Sequence, residues 1–346
     1  MKHFALPALA LLSCLSGCER SPSEPEAPVP EASQAARSGV SGEEPTQEAQ
    51  TSKKSEPAPT VAEPKGKFRH AGGERIVAIG DLHGDFSATQ RAFRLAGAVD
   101  EAGKWSGGKL IVVQTGDQLD RGDDEEKILR FLGRLKDEAD EAGGALYVLN
   151  GNHETMNVMG DFRYVTRGAL SAFESWAPAS PLGGQAPEAF RVRANAFLPG
   201  GGAAQKLAEQ SLIVMVGDSL FAHGGVLPQH VDFGVDRLNR ETSEWMRGEK
   251  SRPPQLVVDE NGPVWTRRYG APVLDQGACD ILSQTLAKLG AKRLVVGHTV
   301  QERGMSGACG GRVFRIDVGL AAHYGDRPIQ VLEIKGSEAK ILTEKL

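Results

Sequence analysis

From residue 75 onward, short unbroken apolar runs alternate with stretches whose apolar positions recur every three or four residues. Arg75–Gly80, Lys109–Gly116 and Ala145–Asn150 are runs of the first kind, bounded by glycine or a polar turn. Apolar residues without alternation mark strands buried on both faces. Between them the spacing predicts helices over Phe86–Ala98 and Asp124–Ala142, the second heavily charged on its outer face. Strand, loop, helix in succession is the rhythm of a sheet covered by helices. Further apolar runs at 211–216, 219–222, 293–296, 313–316 and 329–334 predict more strands, and a helix is expected over Asp275–Leu289. Segment 160–210 is rich in Gly and Pro and reads as a partly helical insertion beside the sheet. The expected architecture is α/β, a two-sheet sandwich flanked by helices, with the folded domain spanning 73–346.

The first residues follow a different pattern. Lys2 precedes a short apolar stretch, Phe4 to Leu12, too short to span a bilayer and suited to the core of a signal peptide. It ends in Leu15-Ser16-Gly17-Cys18, which resembles the lipobox of bacterial lipoproteins. That resemblance implies a signal peptide over 1–18, acylation of Cys18, and a membrane partnership through the anchor without a span. Two or three acyl chains, at about 0.8 kcal/mol per buried methylene, make a firm attachment. Residues 19–72 are Pro, Glu, Ser, Ala and Lys with almost no large apolar side chain, and predict a disordered tether.

Composition narrows the function. The net charge of -5 and the absence of a basic stripe argue against nucleic acid as a partner. Aromatic content of 6% argues against a base-stacking platform. Of the four cysteines, Cys14 leaves with the signal and Cys18 takes the lipid. Cys279 and Cys309 remain, an even pair in an oxidising compartment and a candidate disulfide, although Cys279 also fits an apolar helical pattern.

The polar motifs stand where the predicted strands run out. The first strand ends in Gly80-Asp81-Leu82-His83-Gly84-Asp85, the second in Gly116-Asp117-Gln118-Leu119-Asp120-Arg121-Gly122, the third in Gly151-Asn152-His153-Glu154. Later runs end in His223-Gly224-Gly225 and Gly297-His298-Thr299. Carboxyl ends of strands are where α/β proteins place their sites. A carboxylate at Asp117 can bridge two cations, with Asp81, His83, Asn152, His223 and His298 completing the donors. That mixture of oxygen and imidazole suits Mn, Fe or Zn and is poor for calcium. Two such ions about 3.5–4 Å apart acidify water and hold phosphate oxygens.

These motifs, in this order over about residues 75 to 320, resemble the metal-dependent phosphoprotein phosphatase (calcineurin-like phosphoesterase) superfamily. Within it, the runs from Gly151 (GNHETMNVMGDFRYVT), Ala222 (AHGGVLP) and Pro263 (PVWTRRY) resemble the Shewanella-like protein phosphatases. The resemblance implies a four-layer fold, helix–sheet–sheet–helix, and a site carried over residue by residue. One metal takes Asp81, His83 and Asp117; the other takes Asp117, Asn152, His223 and His298. His153 protonates the leaving oxygen, Asp120 orients His153, and Arg121 clamps the phosphate. Arg267 is the second clamp, with Arg268 as its rival. A bridging hydroxide attacks phosphorus in line, without a phosphoenzyme. Leu119 in place of Val, Asn150 before the third motif, and the absence of a Ser-Ala-Pro-Asn-Tyr loop near 315–320 are departures from the commoner pattern.

The implied function is phosphomonoester hydrolysis on phosphoproteins, at Ser/Thr or Tyr, by a lipid-anchored bacterial envelope protein facing the periplasm or exterior. A nucleotide or diadenosine polyphosphate hydrolase using the same cage is the alternative. A non-catalytic binding lipoprotein is a further rival, although no ligand or acid is missing. Other polar residues have plainer readings. Gly217-Asp218 fits a hairpin turn, Gly160-Asp161 a structural position in the insertion, and Asp123 to Glu126 an acidic helix start. His323 fits either the cleft or the surface.

Overall fold

The structure, a computed structural model, describes residues 68–178, 184 and 186–345. The signal, Cys18 and the tether up to residue 67 therefore lie outside the described residues. In chain order the strands are β1 (Arg69–His70), β2 (Ile76–Ile79), β3 (Ile111–Gln114), β4 (Ala145–Val148), β5 (Ile213–Val216), β6 (Ser219–Ala222), β7 (Arg293–Val296), β8 (Ser306–Ala308), β9 (Val313–Arg315), β10 (Gln330–Lys335) and β11 (Glu338–Thr343). One sheet has the order β11-β10-β2-β3-β4 and the other β1-β5-β6-β7-β9-β8. The helices are α1 (Phe86–Leu95), α2 (Glu125–Glu141), α3 (Asn152–Val158), α4 (Arg191–Phe197), α5 (Gly202–Leu207), α6 (Pro228–Phe233), α7 (Val235–Met246), α8 (Gln255–Val258) and α9 (Gln276–Leu289).

Alternation inside each strand builds the layers. Val214, Val216, Phe221 and Val295 face the first sheet and share a core with Val77, Ile79, Val112 and Val113. Their neighbours Ile213, Met215, Leu220, Leu294 and Val296 point the other way and pack with Leu238, Leu282 and Leu286 of α7 and α9. Phe93 of α1 and Ile128, Leu132 and Leu135 of α2 cover the outer face of the first sheet. The result is helix, sheet, sheet, helix, and the central strands β2, β3, β5, β6 and β7 are buried throughout, which explains their unbroken apolar runs.

Local chemistry sets the helix ends. Asp85 caps α1 by accepting the Ala88 N–H at 2.9 Å, and Asp275 caps α9 by accepting that of Ala278 at 2.7 Å. Helix α1 stops at Leu95, short of the expected Ala98, because Gly97 turns left-handed at φ 67° and the Ala98 N–H returns to the Phe93 carbonyl. Gly217-Asp218 forms the β5–β6 hairpin turn, with Gly217 at φ 59°. Segment 160–210 is partly helical, carries α4 and α5, and packs Phe173, Phe197 and Leu207 against Leu129 of α2 and Trp245 of α7.

One boundary departed from expectation. The second sheet begins at Arg69, ahead of the boundary expected at Gly73: Phe68 is buried, its carbonyl accepts the Met215 N–H, and its own N–H donates to Asp236. A two-residue strand is too short to leave a periodic pattern. The third motif, where β4 runs out, opens helix α3 at Asn152. Among the described residues no helix is long and apolar enough to cross a membrane.

Cys279 on α9 and Cys309 at the β8–β9 turn are disulfide-bonded, with Cα atoms 5.4 Å apart and a sequence separation of 30. Non-reduced protein should therefore show neither of these thiols in a counting assay. Replacing both by serine should lower stability by about 3–4 kcal/mol on the loop-entropy scale. Two free thiols in oxidised protein would refute the bond.

Candidate metal centre and active site

The candidate side chains leave the carboxyl ends of β2, β3 and β4, which run parallel in one sheet, and of β6 and β7, parallel in the other. Six non-glycine residues among those described have positive φ, and five are candidates: His83 (46°), Asp117 (55°), Asp120 (67°), Arg121 (72°) and His298 (67°). Each such residue costs about 1–3 kcal/mol, so the surrounding structure must hold it there. Glycine permits the close approach of the loops. A Cβ on Gly116 would lie 2.7 Å from the Gly151 nitrogen and 3.0 Å from His223 Nδ1.

Glu154 does much of the holding. Its carboxylate accepts the N–H groups of Asp117 (2.8 Å), Gln118 (2.9 Å), Leu119 (3.2 Å) and Gly151 (2.6 Å). One side chain on α3 thus fastens the loop after β3 to the loop after β4. Burial and the neighbouring Asp117 charge push Glu154 up to about 7, against the pull of those amides.

Three imidazoles are set by backbone carbonyls. His83 Nδ1 lies 3.0 Å from the Leu119 carbonyl, His223 Nδ1 3.0 Å from that of Thr115, and His298 Nε2 3.0 Å from that of Trp265. A neutral imidazole donating one proton to a carbonyl presents a bare lone pair on its other nitrogen. Those lone pairs converge on Asp117. His223 Nε2 is 3.2 Å from Asp117 Oδ2, 3.1 Å from His298 Nδ1 and 2.9 Å from Asn152 Oδ1. Acceptors crowded in this way lack a positive partner, and a divalent cation supplies one. Two groups of donors, His83-Asp117-His153 and Asp117-His223-His298, each have ligand atoms within 4.8 Å of one another and share Asp117.

Asp81 belongs to neither group. Its carboxylate accepts the His298 N–H at 3.1 and 3.3 Å and stands 3.9 Å from His223 Nδ1. Burial first, then the charges of Asp317 and Asp117, raise Asp81 well above the carboxylate range. Burial would raise Asp117 too, but His223, His153 and His83 carry it well below that range. Burial lowers His83 to about 4 and, together with His223 and Arg267, takes His298 far down, so both are neutral donors.

His153 differs in kind. Its N–H donates to Asp117 Oδ1 at 3.0 Å and its Nδ1 lies 2.5 Å from Asp120 Oδ2. Burial disfavours its charge, but Asp117 and Asp120 outweigh that and raise it. The Arg121 guanidinium packs 4.0 Å over the Tyr164 ring, and the Arg121 N–H donates to the Tyr164 carbonyl at 3.2 Å. Exposed Arg267 donates to the His298 carbonyl and to Thr299 Oγ1, both at 3.1 Å, whereas Arg268 is exposed and makes only a backbone contact with Thr266. His323 sits exposed at the rim, edge-on to Tyr324, which in turn lies 5.5 Å from His83.

Several residues near the centre were not anticipated as site residues: Glu154, Asp317, Tyr164 and Tyr324 among them. Asp317 is fully buried, and burial with the Asp117 charge raises it to about 6. Glu154 and Tyr164 both lie within the quoted run from Gly151, so the signal was present without an assigned role.

The sequence profile described as calcineurin-like phosphoesterase matches residues 74–302. Shewanella-like protein phosphatase 2 of Arabidopsis thaliana is 39% identical over 303 residues, with 78% of each chain covered. Shewanella-like protein phosphatase 1 of Plasmodium berghei is 28% identical, covering 77% of this chain and 73% of its own. Among solved structures, a cold-active protein-tyrosine phosphatase of a psychrophilic Shewanella species matches with TM-score 0.65 and 23% identity, covering 82% of this chain and 85% of that one. A protein serine/threonine phosphatase from Saccharomyces cerevisiae matches with TM-score 0.53 and 17% identity, over 80% and 83%. At these identities the structures speak to the fold.

Replacing Glu154 by Gln leaves backbone amides facing a group with half the acceptor capacity. Unfolding free energy should fall by about 2–3 kcal/mol in denaturant titrations, and metal retention should weaken. A midpoint equal to that of the wild type would remove Glu154 from this role.

Proposed function

Because this chain belongs to the calcineurin-like phosphoesterase family, and is therefore a metal-dependent phosphatase, we propose that it removes phosphate from phosphoproteins at a dinuclear centre. The observation that carries this reading is the shared carboxylate of Asp117, with acceptor atoms crowded on both sides of it and a histidine–aspartate pair beside it. In this reading Asp81, His83 and Asp117 hold one ion, and Asp117, Asn152, His223 and His298 hold the other. When bound, the ions supply Lewis acidity that activates water and offsets phosphate charge.

The chain's own residues do the rest. Arg121, stacked on Tyr164, presents a guanidinium fork to phosphate oxygens, and Arg267 offers a second from the opposite loop. His153 is held charged by Asp117 and Asp120 and donates its Nε2 proton to the departing oxygen. Asp120 fixes the ring through Nδ1, so the proton to be transferred stands on the other nitrogen. The names of the relatives support a phosphoprotein substrate.

The same reading extends to location. Lys2, the Phe4–Leu12 stretch and the Leu15–Cys18 motif support a lipid anchor at Cys18 in a bacterial-type envelope, facing periplasm or exterior. The Cys279–Cys309 bond supports an oxidising compartment.

Two experiments test these readings. Protein stripped with chelator and reloaded with Mn should regain turnover on phosphotyrosine or phosphothreonine peptides and far exceed its rate on a dinucleotide polyphosphate. Activity on the dinucleotide with silence on the peptides would replace the substrate reading by nucleotide hydrolysis. In a bacterial host, Cys18→Ser should abolish incorporation of labelled palmitate and move the protein to the soluble fraction; label retained by the variant would refute the anchor.

A further inference from the structure

The insertion sends one charged side chain through to the catalytic pair. Arg193, on α4, is wholly buried, with its guanidinium 4.3 Å from the Phe197 ring centroid and 5.1 Å from that of Phe173. Its fork grips both oxygens of Glu125, which is equally buried, with Nη2 to Oε1 at 3.0 Å. Glu125 accepts the Asp120 N–H at 2.5 Å. The Arg193 Nε–H donates to Asn157 Oδ1 at 2.9 Å, and Asn157 Nδ2 donates to Asp120 Oδ1 at 3.1 Å and to the His153 carbonyl at 2.9 Å. Arg193 Nη2 itself stands 3.6 Å from Asp120 Oδ1, which leaves Oδ2 to meet His153 Nδ1.

We propose that Arg193 is a positioning residue for leaving-group protonation, acting through the amide of Asn157 and the backbone of Asp120. The argument is one of donor polarity. An asparagine amide has nearly the same shape either way round, so packing alone does not decide which end faces Asp120. The Arg193 Nε–H can meet only an oxygen, so it turns the Asn157 NH2 toward the carboxylate. With the amide reversed, its oxygen would face Asp120 Oδ1 and push that carboxylate off His153. The Glu125 grip fixes the other variable, the left-handed backbone at Asp120 with φ 67°. A buried guanidinium has no water to exchange for these partners, so the arrangement is rigid. The substrate-clamping loop is held from the same side, because Tyr164 of the insertion supports Arg121. The insertion therefore works as a brace on the acid and on one clamp together.

This inference rests on the reading of His153 as the acid, and the test separates the two. The full chain, loaded with Mn, is compared as wild type, Arg193→Gln, Asn157→Leu and His153→Asn on phenyl phosphate and on dinitrophenyl phosphate, whose leaving group departs without a proton. Expected is a fall in kcat of about tenfold or more on phenyl phosphate in all three variants, within about threefold on dinitrophenyl phosphate, with KM little changed. In metal-free protein, the downfield proton resonance of the His153–Asp120 hydrogen bond should vanish from both relay variants as it does from His153→Asn. Equal losses on the two substrates, with the resonance intact, would overturn the proposal. Should Arg193→Gln fail to fold, Asn157→Leu decides, since it leaves the Arg193–Glu125 pair in place. Should His153→Asn lose as much on dinitrophenyl phosphate as on phenyl phosphate, the acid reading falls and the resonance alone judges the relay.

Discussion

The centre depends on the Glu154 carboxylate more than on any of the residues that point into it. Its two oxygens collect four main-chain N–H groups from two loops that belong to different strands. The parallel pairing of β3 with β4 brings those loops side by side, and the Glu154 carboxylate ties them together. The bare glycine contact between Gly116 and Gly151 permits the approach but contributes no attraction. With both loops fastened to the first turn of α3, Asp117 Oδ1 can receive the His153 N–H while Oδ2 remains directed at His223. The first turn of a helix also favours negative charge, so Glu154 sits where its own helix stabilises it.

That fastening lets the protein hold an arrangement it would otherwise avoid. Buried carboxyls at 81, 117 and 317 repel one another, and three imidazoles spend one ring nitrogen on a backbone carbonyl and turn the other inward. Five left-handed non-glycine residues add backbone strain. None of this stabilises the chain by itself. It is an electrostatic hole shaped before any ligand arrives, and the two apolar sheets beneath it supply the stability that keeps it open.

How far the residues spoke for themselves varied with distance along the chain. Strand ends carrying Asp81, Asp117, Asn152, His223 and His298 were legible because each motif abuts its own apolar run. Partners at long range were not. Glu125 looked like one more acid at a helix start, where the dipole accounts for it, yet it is buried against Arg193, 68 residues away in a segment with no periodic pattern. Asn157 and Glu154 lie one helical turn apart on α3, a helix of 7 residues, too short for its apolar spacing to mark it. Strand β11, with alternating half-exposed positions, likewise lacks the continuous apolar run that marked the buried strands.

The way the chain enters the fold has a mechanical side. Phe68 is seated by the Met215 amide, by Asp236 and by its own burial, and Arg69 donates to the Leu289 carbonyl at the end of α9. Pull exerted from the N-terminal direction is thus received by β5, α7 and α9 at once. Because β1 lies at the far edge of its sheet, with β5 between it and β6, such force meets two ladders of hydrogen bonds before His223. Load arriving at Arg69 would therefore be spent on the edge strand before it reached the reactive rim.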